Sequence, residues 1–195
     1  MDTRSNTAEM PGHAAHAQDA HQSANDDRFA QSLCRECGLC CNGTLFSYVP
    51  LAAADDLVPR PADRVELENG QSGLKQSCRY YSKRLCSIYN AGRPHSCINY
   101  RCQVLMRYAR DEISLEQALD EIRATVRRLN QIKAKMQAQT GVTARNLTDL
   151  FKIWTTSQGG CYTEWSLDHS AILREYYDLL SHLRRTFGEP GDGRT

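Results

Sequence analysis

The chain has 195 residues, of which 41% are hydrophobic and 24% charged, and its formal net charge is +1. This composition is typical of one globular domain with an appended tail or helical extension. The near-zero charge excludes a dedicated basic nucleic-acid binder, and the lack of a run of about 18 apolar residues predicts no membrane partner.

Cysteine is concentrated in one part of the chain. Eight of the nine cysteines lie between Cys34 and Cys102, while Cys161 stands alone and is predicted to be a free thiol. Residues 1–28 are polar and lack the apolar core of a secretory signal, so we expect a disordered tail and a cytoplasmic location. In that reducing compartment, clustered cysteines bind metals more often than they form disulfides.

Residues 29–105 are predicted to form a cysteine-cluster domain built from short elements. These elements are an extended segment over 44–49, a short helix over 51–57, a hairpin that begins with 64–68 and turns at Asn69-Gly70, and a turn at Lys83-Arg84 before an extended 85–89. So little regular structure cannot bury a large core. The domain therefore needs cross-links to stabilise it, and the cysteines can supply them.

Residues 106–190 are predicted to be helical, because capping signals and apolar residues at helical spacing recur there. The first helix is expected to begin at Ser114 and end at Gly141, and the third to begin at Ser166 or Asp168 and end at Gly188. The second helix is expected to carry Leu147, Leu150, Phe151 and Trp154. The predicted fold class is α+β: a small irregular cysteine-rich lobe with short strands, followed by a helical C-terminal part.

The eight clustered cysteines form two sets of four along the sequence. The first is the C-x2-C-x2-C-C run of Cys34, Cys37, Cys40 and Cys41, and the second comprises Cys78, Cys86, Cys97 and Cys102. Four thiolates complete a tetrahedral zinc site. Three cysteines of the run plus one remote cysteine could instead hold a [4Fe–4S] cluster. Because adjacent side chains diverge, Cys40 and Cys41 are expected to serve different metals, or different irons of one cluster.

The C-x2-C spacing has a physical reason. The intervening backbone curls so that its N–H groups point at the sulfurs, and Gly38 tolerates the positive φ that such a turn favours. The single C-x2-C-x2-C run fits an ordinary zinc ribbon poorly, which favours an iron–sulfur cluster slightly over zinc. Iron without sulfide, or four disulfide bridges, would also account for the eight cysteines.

Charged residues flank the second set of cysteines. Arg93-Pro94 predicts the start of a helix that carries Cys97, with Cys102 further round it. Arg93 and Arg101 lie near the cysteines in sequence, where positive charge would lower thiol pKa values. His95 is predicted to be exposed at the helix start.

Three stretches of sequence together resemble a known family. They are Cys34-x2-Cys37-Gly38-x-Cys40-Cys41, Gly43-Thr44-Leu45-Phe46 and Cys86-x-Ile88-Tyr89-x3-Arg93-Pro94-x2-Cys97-x4-Cys102. This pattern, over about residues 34–105, resembles the YkgJ-type CxxCxxCC cysteine-cluster family. The resemblance implies a zinc- or iron-chelating domain that uses all eight cysteines. A related cysteine domain is thought to occur in flagellin lysine methylases, although no glycine-rich nucleotide loop follows a strand here.

The sequence therefore predicts a protein whose partner is a metal ion or cluster. The eight cysteines would ligate zinc or an iron–sulfur cluster in a structural, iron-handling or electron-transfer role. One alternative is an iron–sulfur-dependent redox or protein-modification enzyme, although the sequence presents no catalytic constellation. A disulfide-stabilised interaction module is a second alternative.

Overall fold

The structure is a computed structural model that describes residues 30–56, 60–90, 92–157 and 166–188. The predicted disordered tail over 1–28 and the lone Cys161 lie outside these residues. The first described element is helix α1, which is described from residue 30 to residue 37 and leads directly into the C-x2-C-x2-C-C run.

Five short strands follow α1, in two antiparallel sheets. They are β1 (Tyr48–Pro50), β2 (Arg64–Glu66), β3 (Ser72–Lys75), β4 (Tyr81–Ser82) and β5 (Leu85–Cys86), with a 3-10 turn at Pro61–Asp63. The first sheet has the order β1-β3-β2, and β4 pairs with β5. Both predicted hairpins are confirmed. Lys83 and Arg84 make the second turn with φ angles of 49° and 63°, values typical of a tight hairpin turn.

Two predictions for the first half of the lobe are wrong. The extended segment starts at Tyr48 rather than at residue 44, because the N–H groups of Thr44 and Leu45 both donate to the carbonyl oxygen of Leu39. Residues 51–56 of the predicted helix over 51–57 are not helical. The Asp55 carboxylate accepts the N–H of Ala52 at 2.8 Å there, which favours a turn over a helix.

Five helices complete the described chain: α2 (His95–Asn99), α3 (Gln103–Ala109), α4 (Leu115–Thr140), α5 (Leu147–Ser157) and α6 (Leu167–Phe187). The predicted capping box at Ser114 is present, and Gly141 ends α4 in the left-handed conformation. Ser166, rather than Asp168, caps α6. Cys102 does not lie on the helix of Cys97 as predicted, because α2 ends at Asn99 and Cys102 caps α3.

One hydrophobic core joins the two parts of the α+β fold. Leu33, Leu39 and Leu45 from the cysteine lobe are fully or nearly fully buried in the same cluster as Trp154 and Phe187 from the C-terminal helices. The Tyr100 hydroxyl donates to the carbonyl oxygen of Phe187 at 3.2 Å and fastens the lobe to the end of α6. None of the described helices is long and apolar enough to cross a membrane.

Candidate metal centre

The C-x2-C-x2-C-C run forms a tight loop at the end of α1. Gly38 has a φ of +62°, and its N–H donates to the carbonyl oxygen of Cys34 at 2.9 Å. The N–H of Leu39 donates to the Cys37 sulfur and lowers the pKa of this thiol against the larger, raising effect of burial. This N–H-to-sulfur contact is the arrangement that the C-x2-C spacing predicts.

Gln76 and Cys78, which follow β3, hold this loop against the first sheet. The N–H of Cys78 donates to the carbonyl oxygen of Cys41 at 2.7 Å. Gln76 is buried, and its side-chain nitrogen, in the orientation that its neighbours favour, donates to the carbonyl oxygens of Cys40 and Cys41 at 3.2 Å each. Sequence reasoning missed Gln76, because no local signal marks a contact between segments 35 residues apart.

All eight predicted cysteines line one cavity of about 700 Å³. The cavity is also lined by aromatic and basic side chains, among them Tyr81, Tyr89, Tyr100, Arg93 and Arg101. Each of the eight is a free cysteine, and only Cys34 is exposed as a residue, so the described chain contains no disulfide between them. The fold therefore gathers side chains that lie up to 68 positions apart in the sequence.

Burial favours the neutral form of seven of these thiols. It is the largest cause of a rise in pKa to about 11 for Cys34 and to about 12 for Cys41 and Cys97. Burial also raises the pKa of Cys37, Cys40, Cys78 and Cys102. After burial, repulsion between thiolates raises several of these pKa values further.

Four cysteines influence the ionisation of Tyr100. After burial, repulsion from Cys40, Cys102, Cys37 and Cys34 raises the Tyr100 pKa. Repulsion from Cys102, Cys34 and Cys41 raises the pKa of Cys37, and repulsion from Cys37, from its chain neighbour Cys41, and then from Cys102 and Cys34 raises the pKa of Cys40. Cys37, Cys40, Cys102 and Tyr100 also pack against the same hydrophobic core. We call Cys34, Cys37, Cys40 and Cys102 the first cysteine group.

The remaining four cysteines meet around the β4–β5 hairpin. Cys78 is hydrogen bonded to Cys41 through the backbone, and Cys86 pairs across the hairpin with Tyr81. After burial, the Cys41 pKa is raised most by Cys78, Cys86 and Cys97, ahead of Cys34. Cys78 and Cys86 likewise raise the pKa of Cys97. We call Cys41, Cys78, Cys86 and Cys97 the second cysteine group.

The two groups differ from the two sets of four along the sequence. Cys41 is grouped with the remote cysteines and Cys102 with the run, so the adjacent Cys40 and Cys41 are assigned to different groups. That they serve different metals stays a prediction. Among the residues that the structure describes, no three or more His, Cys, Asp or Glu side chains stand in an arrangement that could hold a metal ion. The thiols match a metal centre in number and donor chemistry, and they must turn toward a common ion to bind it.

His95 is exposed at the start of α2, as predicted, and it has a partner that the sequence did not reveal. Its Nδ1 lies 2.5 Å from an Asp55 carboxylate oxygen, which also accepts the His95 backbone N–H at 2.9 Å. Burial alone would raise the Asp55 pKa, but these hydrogen bonds outweigh it and lower the pKa. The pair fixes the helix that carries Cys97 of the second cysteine group.

Gly38→Ala is expected to distort the loop of the first cysteine group. Alanine is strained at a positive φ, by about 1–2 kcal/mol, and its Cβ would collide with the Tyr81 hydroxyl. Gly70→Ala is the matched control, since Gly70 has a φ of +77° with nothing within 4 Å of the added Cβ. Denaturant titration should show a larger loss of stability for Gly38→Ala. Equal losses would show that the contact with Tyr81 is unimportant.

Thiol reactivity in the metal-free protein should depend on pH as the raised pKa values require. The thiolate is the reactive form, so alkylation of Cys41 and Cys97 should stay slow until the pH approaches 12. Denatured protein is the control and should react with a midpoint near its ordinary pKa of about 8.5. Because only the unfolded chain loses these protons above that pH, the metal-free fold should lose stability as the pH rises. Mass spectrometry of alkylated peptides measures the reactivity, and coincident curves for folded and denatured protein would contradict this expectation.

Comparisons of the chain with protein-family models, with curated proteins and with solved structures found no match. The resemblance to the CxxCxxCC cysteine-cluster family therefore stays a prediction from the sequence motifs.

Proposed function

We propose that the protein binds two metal centres, one at each cysteine group, in a structural, iron-handling or electron-transfer role. The observation that carries this proposal is the convergence of all eight thiols on one cavity in two groups of four. Four thiolates are the ligand number of zinc and of iron–sulfur centres. A centre saturated by four protein ligands has no open position for a substrate, which favours these roles over metal-based catalysis.

The first cysteine group has the composition of a cluster-binding site. Cys34, Cys37 and Cys40 come from the C-x2-C-x2-C run, and Cys102 is the remote fourth cysteine. Bacterial ferredoxins bind [4Fe–4S] clusters through a run of the same spacing. This likeness supports an iron–sulfur centre, while zinc, which also accepts four thiolates, is the second candidate metal. We place the protein in the cytoplasm, because reducing conditions keep the thiols available for metal.

The size of the cavity favours a second candidate function, an iron–sulfur-dependent redox or protein-modification enzyme. A volume of about 700 Å³ lies within the range of small-molecule pockets. Such an enzyme would need room for a substrate beside the loaded centres. Reversible redox change together with saturable binding of a small molecule would favour this function over a purely structural role.

Metal analysis of anaerobically purified full-length protein tests the proposal. Iron with stoichiometric acid-labile sulfide and a brown colour would identify clusters, whereas two zinc ions in colourless protein would identify zinc centres. Loading should also release protons, because thiols held neutral by burial must lose them to bind metal. Protein with neither metal and without free thiols among the eight would overturn the proposal in favour of a disulfide-stabilised module.

A further inference from the structure

Arg93 presents a buried hydrogen-bond donor without an acceptor. Its Nε is buried and has no hydrogen-bond partner within the described parts of the chain. Its Cζ lies 4.2 Å from the ring centroid of Tyr89, a cation–π contact that fixes the guanidinium in place. A buried N–H without an acceptor lowers the stability of the fold. A donor held in this way therefore indicates that an acceptor is present in another state of the site.

The position of Arg93 relates it to both cysteine groups. Arg93 lines the same cavity as the eight thiols. Against the larger effect of burial, its charge lowers the pKa of Cys34 in the first group and of Cys97 in the second. Arg101 differs, because it lowers the pKa of Cys34 and Cys102, which both belong to the first group. Arg101 also donates to the backbone carbonyls of Ile98 and Tyr100.

Metal loading would supply the acceptor that Arg93 Nε lacks. Each neutral thiol gives up its proton when it binds metal, and four thiolates around a divalent ion leave the centre negatively charged. Two such centres in one cavity repel each other, and a cation beside both reduces that repulsion. A thiolate sulfur also accepts a hydrogen bond from an N–H donor, and hydrogen bonds to cluster sulfurs tune iron–sulfur centres.

We propose that Arg93 is a positioning residue shared by the two metal centres, whose guanidinium balances their charge and whose Nε–H donates to a ligand sulfur after loading. This inference rests on the proposed function and deepens it, because it names a residue outside the eight cysteines on which both centres depend. Such a residue couples the centres through one fixed charge.

Cobalt(II) titration of full-length variants tests the inference, since cobalt(II) substitutes for zinc and its visible spectrum reports sulfur ligation. Cys78→Ser leaves the first centre intact, and Cys40→Ser leaves the second. In both backgrounds Arg93→Gln should weaken cobalt binding by about tenfold or more, while Arg93→Lys, which keeps the charge, should recover part of the affinity. Arg101→Gln is the matched control and should weaken only the first centre.

The outcomes separate the inference from the proposed function. Wild-type protein that binds no cobalt(II) and takes up no cluster on anaerobic reconstitution with iron and sulfide would overturn the proposed function and the inference with it. Wild-type binding with Arg93→Gln unchanged at either centre would overturn the inference alone. Circular dichroism of the metal-free variants should match that of the wild type. A loss of affinity that Arg93→Lys does not relieve, together with a loss of metal-free helix signal, would reduce Arg93 to a folding role and also overturn the inference.

Discussion

Cys40→Ser and Cys41→Ser change adjacent residues, yet each should empty a different metal centre and lower the metal content by about half. We assign Cys40 to the first cysteine group and Cys41 to the second, because repulsion from Cys78, Cys86 and Cys97 raises the Cys41 pKa, whereas these three do not appear among the causes for Cys40. A serine hydroxyl is a poor replacement for a thiolate, since zinc and iron–sulfur centres favour sulfur ligands. Metal and acid-labile sulfide per chain, measured by elemental and colorimetric analysis, give the readout.

Double variants test the assignment of each thiol. Cys40→Ser combined with Cys102→Ser should lose no more metal than either single change, because both act on one centre. Cys40→Ser combined with Cys78→Ser should lose all of it, because the two changes act on separate centres. Cys161→Ser, which changes the cysteine predicted from the sequence to be a free thiol, is the control and should retain the full content. If each single variant lost all its metal, the eight thiols would instead form one shared centre.

Leu39→Ala should lower the free energy of unfolding by about 2–5 kcal/mol, although Leu39 lies in the metal loop and far in sequence from the long helices. Its side chain is 0% exposed and belongs to the core cluster that contains Trp154 and Phe187. Removing it leaves a cavity where the loop meets the helices. Denaturant unfolding monitored by the helix signal should therefore show a lower free energy of unfolding, although the substitution lies in the cysteine lobe.

Leu85→Ala is the matched control for Leu39→Ala. Leu85 lies beside Cys86, but 50% of its surface is exposed, so the substitution should change the stability by no more than about 0.5 kcal/mol. Both variants should be compared in the metal-free state, so that altered loading does not contribute. If Leu39→Ala left the helix transition unchanged, the lobe and the helices would be energetically independent despite their shared core.

The features predicted correctly from the sequence are those determined by neighbouring residues. Ser114, Gly141 and Ser166 cap helices through contacts within one turn, and these caps are where the sequence predicts them. The Asn69-Gly70 turn lies within three residues of the strands that it joins, and the Lys83-Arg84 turn connects β4 directly to β5. In each case, the physical cause lies within the short window that a sequence pattern covers.

The features that were missed depend on residues far apart in the chain. Asp55 and His95 are 40 positions apart, and their contact accompanies a turn where a helix over 51–57 was predicted. Nothing near Cys102 in the sequence indicates that it is grouped with Cys34, Cys37 and Cys40 rather than with the other remote cysteines. The sequence motifs thus identified the candidate ligands, while the grouping of those ligands required the fold.

The peptide bond between Cys40 and Cys41 limits the separation of the two proposed metal centres. Neighbouring Cα atoms lie about 3.8 Å apart across a trans peptide, so covalent geometry limits how far apart the two centres can lie when each holds one of these thiols. Packing distances elsewhere in the lobe change when the protein is heated or partly unfolds, whereas the distance between the Cα atoms of Cys40 and Cys41 does not. Inserting one residue between Cys40 and Cys41 would change the distance between the two centres while retaining all eight cysteines.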